Sequence, residues 1–581
     1  MATKQAGLVC LTYILFMLLF KSYSGLIRQT TIKDTFLIGV TDAAAFLVLC
    51  LITICSRKFG WDQFFNISMS ILMIHFVTLT VSLIFFRVTI KMFYSYIFIL
   101  VPSSKRKNVL IYGSGETGII VKRVIESDSK SEYQLKGFID DNVLLQGKKL
   151  DGYPVYSQSV LTKEFIEEED INVFIFAINN LPAEKKKEVL EYVMNLGLEI
   201  LDTPSFDKWL NGTLQMKQLR KVQFEDLLGR EPIKLDLKRI DEGLKNKTIL
   251  VTGAAGSIGS EIVRQLTKYH YKQLVLIDQA ETPSFYLNNE LKDKFPGCQY
   301  ELVIGDVTNE PKMDHIFNKF RPEIVFHAAA YKHVPIMEAN PHEAFRVNVG
   351  GTKIISELAM KYHAEKFVMI SSDKAVNPTN VMGASKKVCE LLVQAQARRY
   401  GTKTQFITTR FGNVLGSNGS VIPLFKKQIA EGGPVTITDP EITRFFMTIP
   451  EACQLVLEAG FMGNGGEIFI FDMGKPVKIL DIAIKLIRLS GLKPYEDIEI
   501  KFVGLRPGEK LYEELFATSE HQLKTHNPKI SIARVAEADY ELILPKINLA
   551  LDTIYEKSGT EVVEAMKEIV PGYVSKYASV Q

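Results

Sequence analysis

The sequence predicts an α/β protein with N-terminal transmembrane helices, a small doubly wound domain, and then a larger one carrying a smaller C-terminal part. Three observations predict it. Apolar residues concentrate in three stretches before residue 102. A strand, glycine turn and helix open near 107 and again near 246. After each opening, short apolar runs alternate with helical segments, as parallel strands with crossover helices require. The 581 residues are too many for one domain. With 47% hydrophobic and 23% charged residues, the chain is neither disordered nor fibrous. A formal net charge of +3 speaks against a general nucleic-acid binder, so no nucleic-acid partner is expected. Cys10, Cys50 and Cys55 lie in apolar stretches, and Cys298, Cys389 and Cys453 show no CxxC spacing. No disulfide framework and no metal site are expected.

Residues 1–101 read as a transmembrane region of about three spans, at about 6–20, 35–55 and 64–86. A bilayer core takes about 20 apolar residues, which the second and third stretches supply and the first nearly does. Lys21, Arg28 and Lys33 sit between the first two stretches, and Arg87, Lys91, Lys105, Arg106 and Lys107 follow the third. Only Arg57 and Lys58 lie between the second and third. The positive-inside rule then places the 21–34 loop and the large C-terminal part in the cytoplasm.

Residues 102–210 read as a small α/β domain. KNVLIYGSGETGIIVKRVI gives strand, turn and helix, with Gly113, Gly115 and Gly118 at GxGxxG spacing. GFIDD follows as a second strand ending in acid, and VFIFAI as a third. A tight turn is needed here whether or not a nucleotide binds, so this loop is either a working site or a structural remnant. Residues 211–245 read as a linker.

The unit at 246–581 is more explicit. KTILVTGAAGSIGSEIVRQL places Gly253, Gly256 and Gly259 between a strand and a helix. The first glycine allows the turn, the second lets backbone approach a pyrophosphate, and the third lets helix pack on strand. The helix start at Ser257, Ile258 and Gly259 offers free N–H groups to phosphate. QLVLID ends at Asp278, an acid suited to ribose hydroxyls, which favours NAD over NADP. LVIGDV brings Asp306 and Val307 to a position suited to adenine. In IVFHAAA, the small residues Ala328, Ala329 and Ala330 let the chain pass close to the cofactor. FVMISSDKAV and FITTRFGNVLG are further strands, and such folds bind ligands at the strand ends.

TGAAGSIGSE, HAAAYKHVPIME, SSDKAVNPTNVMGASKK, RFGNVLGSNGSVIPLF, TDPEITRFFMT and GLRPGEKLYEEL occur in that order. Together they resemble the extended short-chain dehydrogenase/reductase family. Within it they look like the membrane-bound UDP-N-acetylglucosamine 4,6-dehydratases of bacterial surface-polysaccharide and glycan biosynthesis. The resemblance covers nearly the whole chain. It implies a UDP-sugar substrate, NAD, a multi-pass protein of the bacterial inner membrane, and a homo-oligomer. Such proteins usually have four spans before the first α/β domain, and three are counted here, as if the chain began late or lacked one.

The resemblance also assigns roles. Lys386 binds the nicotinamide ribose, while the usual tyrosine four residues earlier is Met382, whose thioether cannot accept a proton. Ser372, Asp373 and Lys374 compensate, with Asp373 the acid toward C6 and Lys374 the base toward C5. A lysine base needs its pKa lowered by burial or neighbours. The C4 hydroxyl proton goes to Ser372, to Lys374 or to a water. Asn413 and Ser417 meet sugar or phosphate, and Glu509 belongs to the same substrate set. Arg444 and Arg506 suit pyrophosphate, since guanidinium forks match phosphate. His333 either reaches the sugar or is structural. The expected reaction is a redox-neutral 4,6-dehydration of a UDP-N-acetylhexosamine with C5 retained. The alternatives are a nucleotide-sugar epimerase, which Met382 argues against, and a non-catalytic membrane scaffold or sugar-nucleotide sensor.

Overall fold

The computed structural model describes residues 2–22, 32–60, 65–100, 106–127, 132–178, 181–204, 209, 214–228, 233, 235–517, 520–534 and 540–575. Arg28 and Lys105, invoked above for topology, lie outside the described residues.

The N-terminal region holds three helices, α1 (Ala2–Leu19), α2 (Ile32–Phe59) and α3 (Met69–Leu100). Two of them are long and apolar enough to cross a membrane, over Lys33–Phe59 and Met69–Phe93. The apolar part of α1, Gln5–Leu19, is shorter. The third element starts at 69 rather than 64 and runs past 86 to Leu100. A small interior of Tyr13, Ala45, Leu49 and Leu72 leaves Leu47, Ile54, Ile71, Met73 and Phe85 exposed. Large apolar side chains on the outside invert the soluble pattern and suit lipid surroundings.

The first α/β sheet runs in the order Lys149–Leu150, Tyr153–Tyr156, Tyr133–Ile139, Lys107–Tyr112, Ile171–Phe176, Glu199–Asp202, Arg220–Lys221. Its last strand pairs antiparallel and comes from the segment read as linker. That segment is structured further. Val222, Phe224 and Leu227 are buried in one core with Phe174 and Phe176. Asp236 caps the helix Leu237–Leu244 by accepting from the Arg239 N–H at 3.0 Å. Ile240 and Leu244 on that helix pack in a core with Phe461. A strand and an amphipathic helix this short carry too few periodic positions to be read from sequence.

The second sheet has nine strands, in the order Tyr300–Ile304, Gln273–Asp278, Thr248–Thr252, Ile324–His327, Lys366–Ile370, Gln405–Arg410, Ile468–Phe471, Ile530–Arg534, His521–Lys524. The first seven are parallel, Ile530–Arg534 pairs antiparallel with the seventh, and His521–Lys524 pairs antiparallel with Ile530–Arg534. Strand order reverses between Thr248–Thr252 and Ile324–His327, which opens a crevice at their carboxyl ends. Three two-stranded ribbons built from residues 413–502 form the smaller C-terminal part.

Candidate active site

The crevice is built on a glycine turn that tolerates little else. Gly253 has φ +64°, and a Cβ there would lie 2.7 Å from the Ala329 backbone nitrogen. A Cβ on Gly259 would lie 2.0 Å from the Gly253 carbonyl oxygen. The first glycine therefore lets the strand ends touch, and the third lets the helix Ser257–Leu266 sit on the turn. Gly256 differs, because its Cβ would meet only the Gly253 oxygen, at 3.2 Å, and otherwise faces the crevice. Asp278 braces the turn: Oδ2 accepts from Ala255 N–H and Oδ1 from Ala280 N–H, both at 2.9 Å.

Two connected spaces open from this turn, and both are lined by Gly253, Gly256, Ala328, Ala330 and Tyr331. The smaller, about 140 Å³, is walled by Asp278, Asp306, Val307 and Ala329. The larger, about 570 Å³, takes in Ser257, Ile258, Gly259, Ser372, Lys374, Met382, Lys386 and His333. Asn413, Ser417, Arg444, Arg506 and Glu509 complete its far wall. The open space before Gly256, the free helix N-terminus and the two acids at the smaller space fit an extended dinucleotide. The structure thus gathers every cofactor, substrate and catalytic residue expected of the second unit, except Asp373, around these two spaces.

Asp373 is fully buried and off the wall. Its Oδ1 accepts from Ser372 Oγ at 2.9 Å and from Lys374 Nζ at 3.1 Å, while Oδ2 is buried without a hydrogen-bond partner. Gly412, which lines the cavity, lies against it: a Cβ there would stand 2.9 Å from Oδ2. Asp373, expected as the acid toward C6, is thus a buried carboxylate beside Lys374.

Lys374, expected as the base toward C5 with a lowered pKa, differs in its electrostatics. Burial works to lower its pKa, but the carboxylates of Asp373 and Glu513 outweigh burial and hold it above the usual lysine value. Its ammonium lies 3.0 Å from Asn413 Oδ1 and 3.6 Å from Glu513 Oε1. Two lysines of the cavity wall do have a lowered pKa, both chiefly through burial: Lys386, and Lys332, which the charge of Lys374 lowers further. Lys386 stands one helical turn after Met382 on Val381–Ala397, so both face the cavity.

Several supports had no sequence signal. His327 is wholly buried between Thr252 Oγ1 at 2.8 Å and Thr352 Oγ1 at 3.1 Å. Burial and the nearby Lys386 lower its pKa to about 3, which keeps it neutral. Asn348 grips Tyr331, accepting its N–H at 2.7 Å and donating to its carbonyl at 3.1 Å. Buried Arg410 pairs with Glu390 and Glu520, each at 2.7 Å, and Glu390 also accepts from Ser371 Oγ at 2.8 Å. That network fixes the strand end from which Ser372 to Lys374 depart. Arg444 donates to Glu509 at 3.3 Å and to the carbonyls of Thr443 and Leu511. Asn380 caps the Met382 helix and donates to the Gly508 carbonyl at 3.2 Å, joining the C-terminal loop to it. The His333 ring lies against Gly419, where a Cβ would come within 2.5 Å of it.

Comparison with known proteins agrees with this arrangement. Residues 249–535 match the family described as polysaccharide biosynthesis protein, and residues 108–192 match the PglD N-terminal domain. The chain is 42% identical to the capsular polysaccharide biosynthesis protein CapD of Staphylococcus aureus, over 83% of this chain and 80% of that protein. It is 43% identical to the probable polysaccharide biosynthesis protein EpsC of Bacillus subtilis, over 75% of this chain and 72% of that protein. It is 36% identical to the UDP-glucose 4-epimerase of Rickettsia rickettsii, over 47% of this chain and 79% of that protein. The chain belongs to the polysaccharide biosynthesis protein family.

Proposed function

We propose that this family member is a membrane-anchored, NAD-dependent 4,6-dehydratase of a UDP-N-acetylhexosamine, with UDP-GlcNAc as the substrate to test. The observation that carries the reading is a cavity lined together by Lys374, Lys386 and Met382, the last a thioether at the position where the resemblance expects the tyrosine that takes a proton. Gly253–Gly259, Asp278 and Asp306 would hold NAD, which would supply reversible hydride chemistry for a redox-neutral reaction.

The chain's own groups handle protons and position. Lys386, with a lowered pKa, suits the ribose hydroxyls of the cofactor. Met382 packs an apolar wall beside it. Lys374 faces the cavity and is held by Asn413, so it is placed to remove the C5 proton once C4 is a ketone. The same amine returns that proton, which retains configuration at C5. Arg444 and Arg506 suit the diphosphate, and Asn413 and Ser417 the sugar. Apolar Ile437, Ile442 and Phe446 on the same wall suit a base or an acetyl group. Two apolar helices support a membrane anchor, and the basic residues after the second of them put the catalytic part on the cytoplasmic side. A homo-oligomer is part of the same reading.

Incubating the full chain with UDP-GlcNAc and weighing the product tests it. Loss of one water supports the dehydratase, and a product of unchanged mass with altered configuration at C4 would replace it with an epimerase. Binding without turnover would leave a sensor.

A further inference from the structure

A lysine that is to accept a proton must first lose its own, and Lys374 sits among groups that keep it charged. Asp373 Oδ1 is 3.1 Å from Nζ and Glu513 Oε1 is 3.6 Å away. Glu513 is buried, lies outside the cavity wall, and its Oε2 has no hydrogen-bond partner among the described residues. Arg444 Nε stands 3.8 Å from Glu513 Oε1 and is itself tied to Glu509. Lys510 and Lys332 are the other charged groups facing this cluster. With all groups ionised, Asp373, Glu513, Lys374 and Arg444 sum to zero charge. Moving one proton from Lys374 to Glu513 leaves only Asp373 and Arg444 charged, still summing to zero, and so buries fewer charges.

We propose that Glu513 is the proton store for Lys374: it takes the proton that frees the amine and gives it back when the cycle ends. The inference rests on the reading of Lys374 as the C5 base. One N–H bond of Lys374 breaks and one O–H bond forms on the Glu513 carboxylate, with no change in the net charge of the site. The free amine then takes the C5 proton. After C5 is reprotonated by the resulting ammonium, Glu513 returns its proton and restores the ion pair. Glu513 touches no substrate and acts through Lys374. Burial raises its pKa, with Asp373 adding to the rise and Lys374 and Arg444 opposing it, which suits a carboxylate that takes a proton readily.

The test measures solvent-deuterium entry into C5 and water loss in the full, detergent-solubilised chain at a series of pH values. In the parent protein the proton moves within the site, so kcat is expected to stay flat between about pH 7 and 9. In Glu513→Gln the amine must lose its proton to solvent. Its kcat is expected to fall about 10²-fold at pH 7, within the range of general acid–base terms, and to climb about tenfold per pH unit. KM for UDP-GlcNAc stays within about threefold, as for a group remote from substrate. Glu513→Asp keeps a carboxylate and is expected to retain the flat profile at reduced rate.

A structural role predicts the reverse, since removing one of the two carboxylates lowers the Lys374 pKa and speeds exchange at neutral pH. Faster exchange in Glu513→Gln, a changed KM with an unchanged profile, or an alkaline rise in Glu513→Asp would overturn the inference. If the parent protein itself loses no water from UDP-GlcNAc, the proposed function fails instead, and the two failures are distinct.

Discussion

The chain carries the same strand, glycine turn and helix twice, and the two copies differ in what surrounds the turn. In both, the third glycine admits the helix: a Cβ on Gly118 would lie 2.0 Å from the Gly113 oxygen, as on Gly259 from that of Gly253. In both, the acid ending the second strand reaches back to the turn. Asp140 Oδ2, however, accepts both the N–H and the hydroxyl of Ser114, at 2.7 and 2.5 Å. Asp278 takes only one group of its turn, the Ala255 N–H. The ends of the remaining strands separate the two copies further. In the second domain the neighbouring strand ends deliver Tyr331, Ser372 and Lys374 to an open cavity. In the first, Asp202 at the end of the strand Glu199–Asp202 is occupied by Lys186 at 2.9 Å and Arg220 at 3.2 Å. A glycine turn therefore fixes a fold, while a site needs polar groups left free beside it.

The sharpest way to break the comparison is to block each turn. Gly256→Val is expected to abolish NAD retention and turnover, because its side chain would fill the space before the turn. Gly115→Val is expected to leave turnover within several-fold, since nothing lies within 4 Å of its Cβ position. NAD content and water loss measured on both settle the ranking, and the opposite order would move the catalytic site to the first domain.

Next come the proton carriers. Lys374→Ala is expected to lose about 10²–10⁴-fold in kcat and all deuterium exchange at C5. Asp373→Asn, which leaves the amine in place, is expected to be comparably slow in water loss yet still exchange C5. Exchange in the alanine variant would assign the C5 proton to another group.

Gly412→Ala tests the buried carboxylate. Its new methyl would press on Asp373 Oδ2 at 2.9 Å and on Met473 and Phe445 at 3.2 Å. Overpacking of this kind costs about 1–3 kcal/mol. A fall in melting temperature together with reduced kcat is expected, and an unaffected enzyme would show that Asp373 is free to move.

The smallest effects are expected where packing alone is at stake. Met382→Leu conserves volume and should cost less than about 1.5 kcal/mol, read by thermal melting, with kcat within a few-fold. A chain started at residue 102 should keep activity within a few-fold, because the cavity draws its lining wholly from residues 253–509. A folded, NAD-bound but inactive truncation would tie the N-terminal helices to the chemistry.

How much of this was legible in the sequence depends on range. The glycine turns, the acids at strand ends and the apolar N-terminal stretches are local patterns, set by backbone sterics and by the length of a bilayer core. The cavity residues became legible through long ordered motifs, and the structure places nearly all of them on one surface. The structure within 211–245 was not legible because a two-residue strand has no period of its own, and Arg220–Lys221 is a strand only because Glu199–Asp202 offers it an edge.

Ionisation was not legible at all. Asp373 and Lys374 are adjacent in sequence, and nothing there says that one is fully buried and the other open to the cavity. Glu513 lies 139 residues further on, yet it shares the charge of Lys374. The sequence by itself determined which backbone turns form, where apolar helices run and which chemical groups are on hand. The tertiary structure alone decided which of those groups are buried together, because burial and Coulomb interaction depend on distance in space. That distance is set only when the sheet and its C-terminal part close on each other.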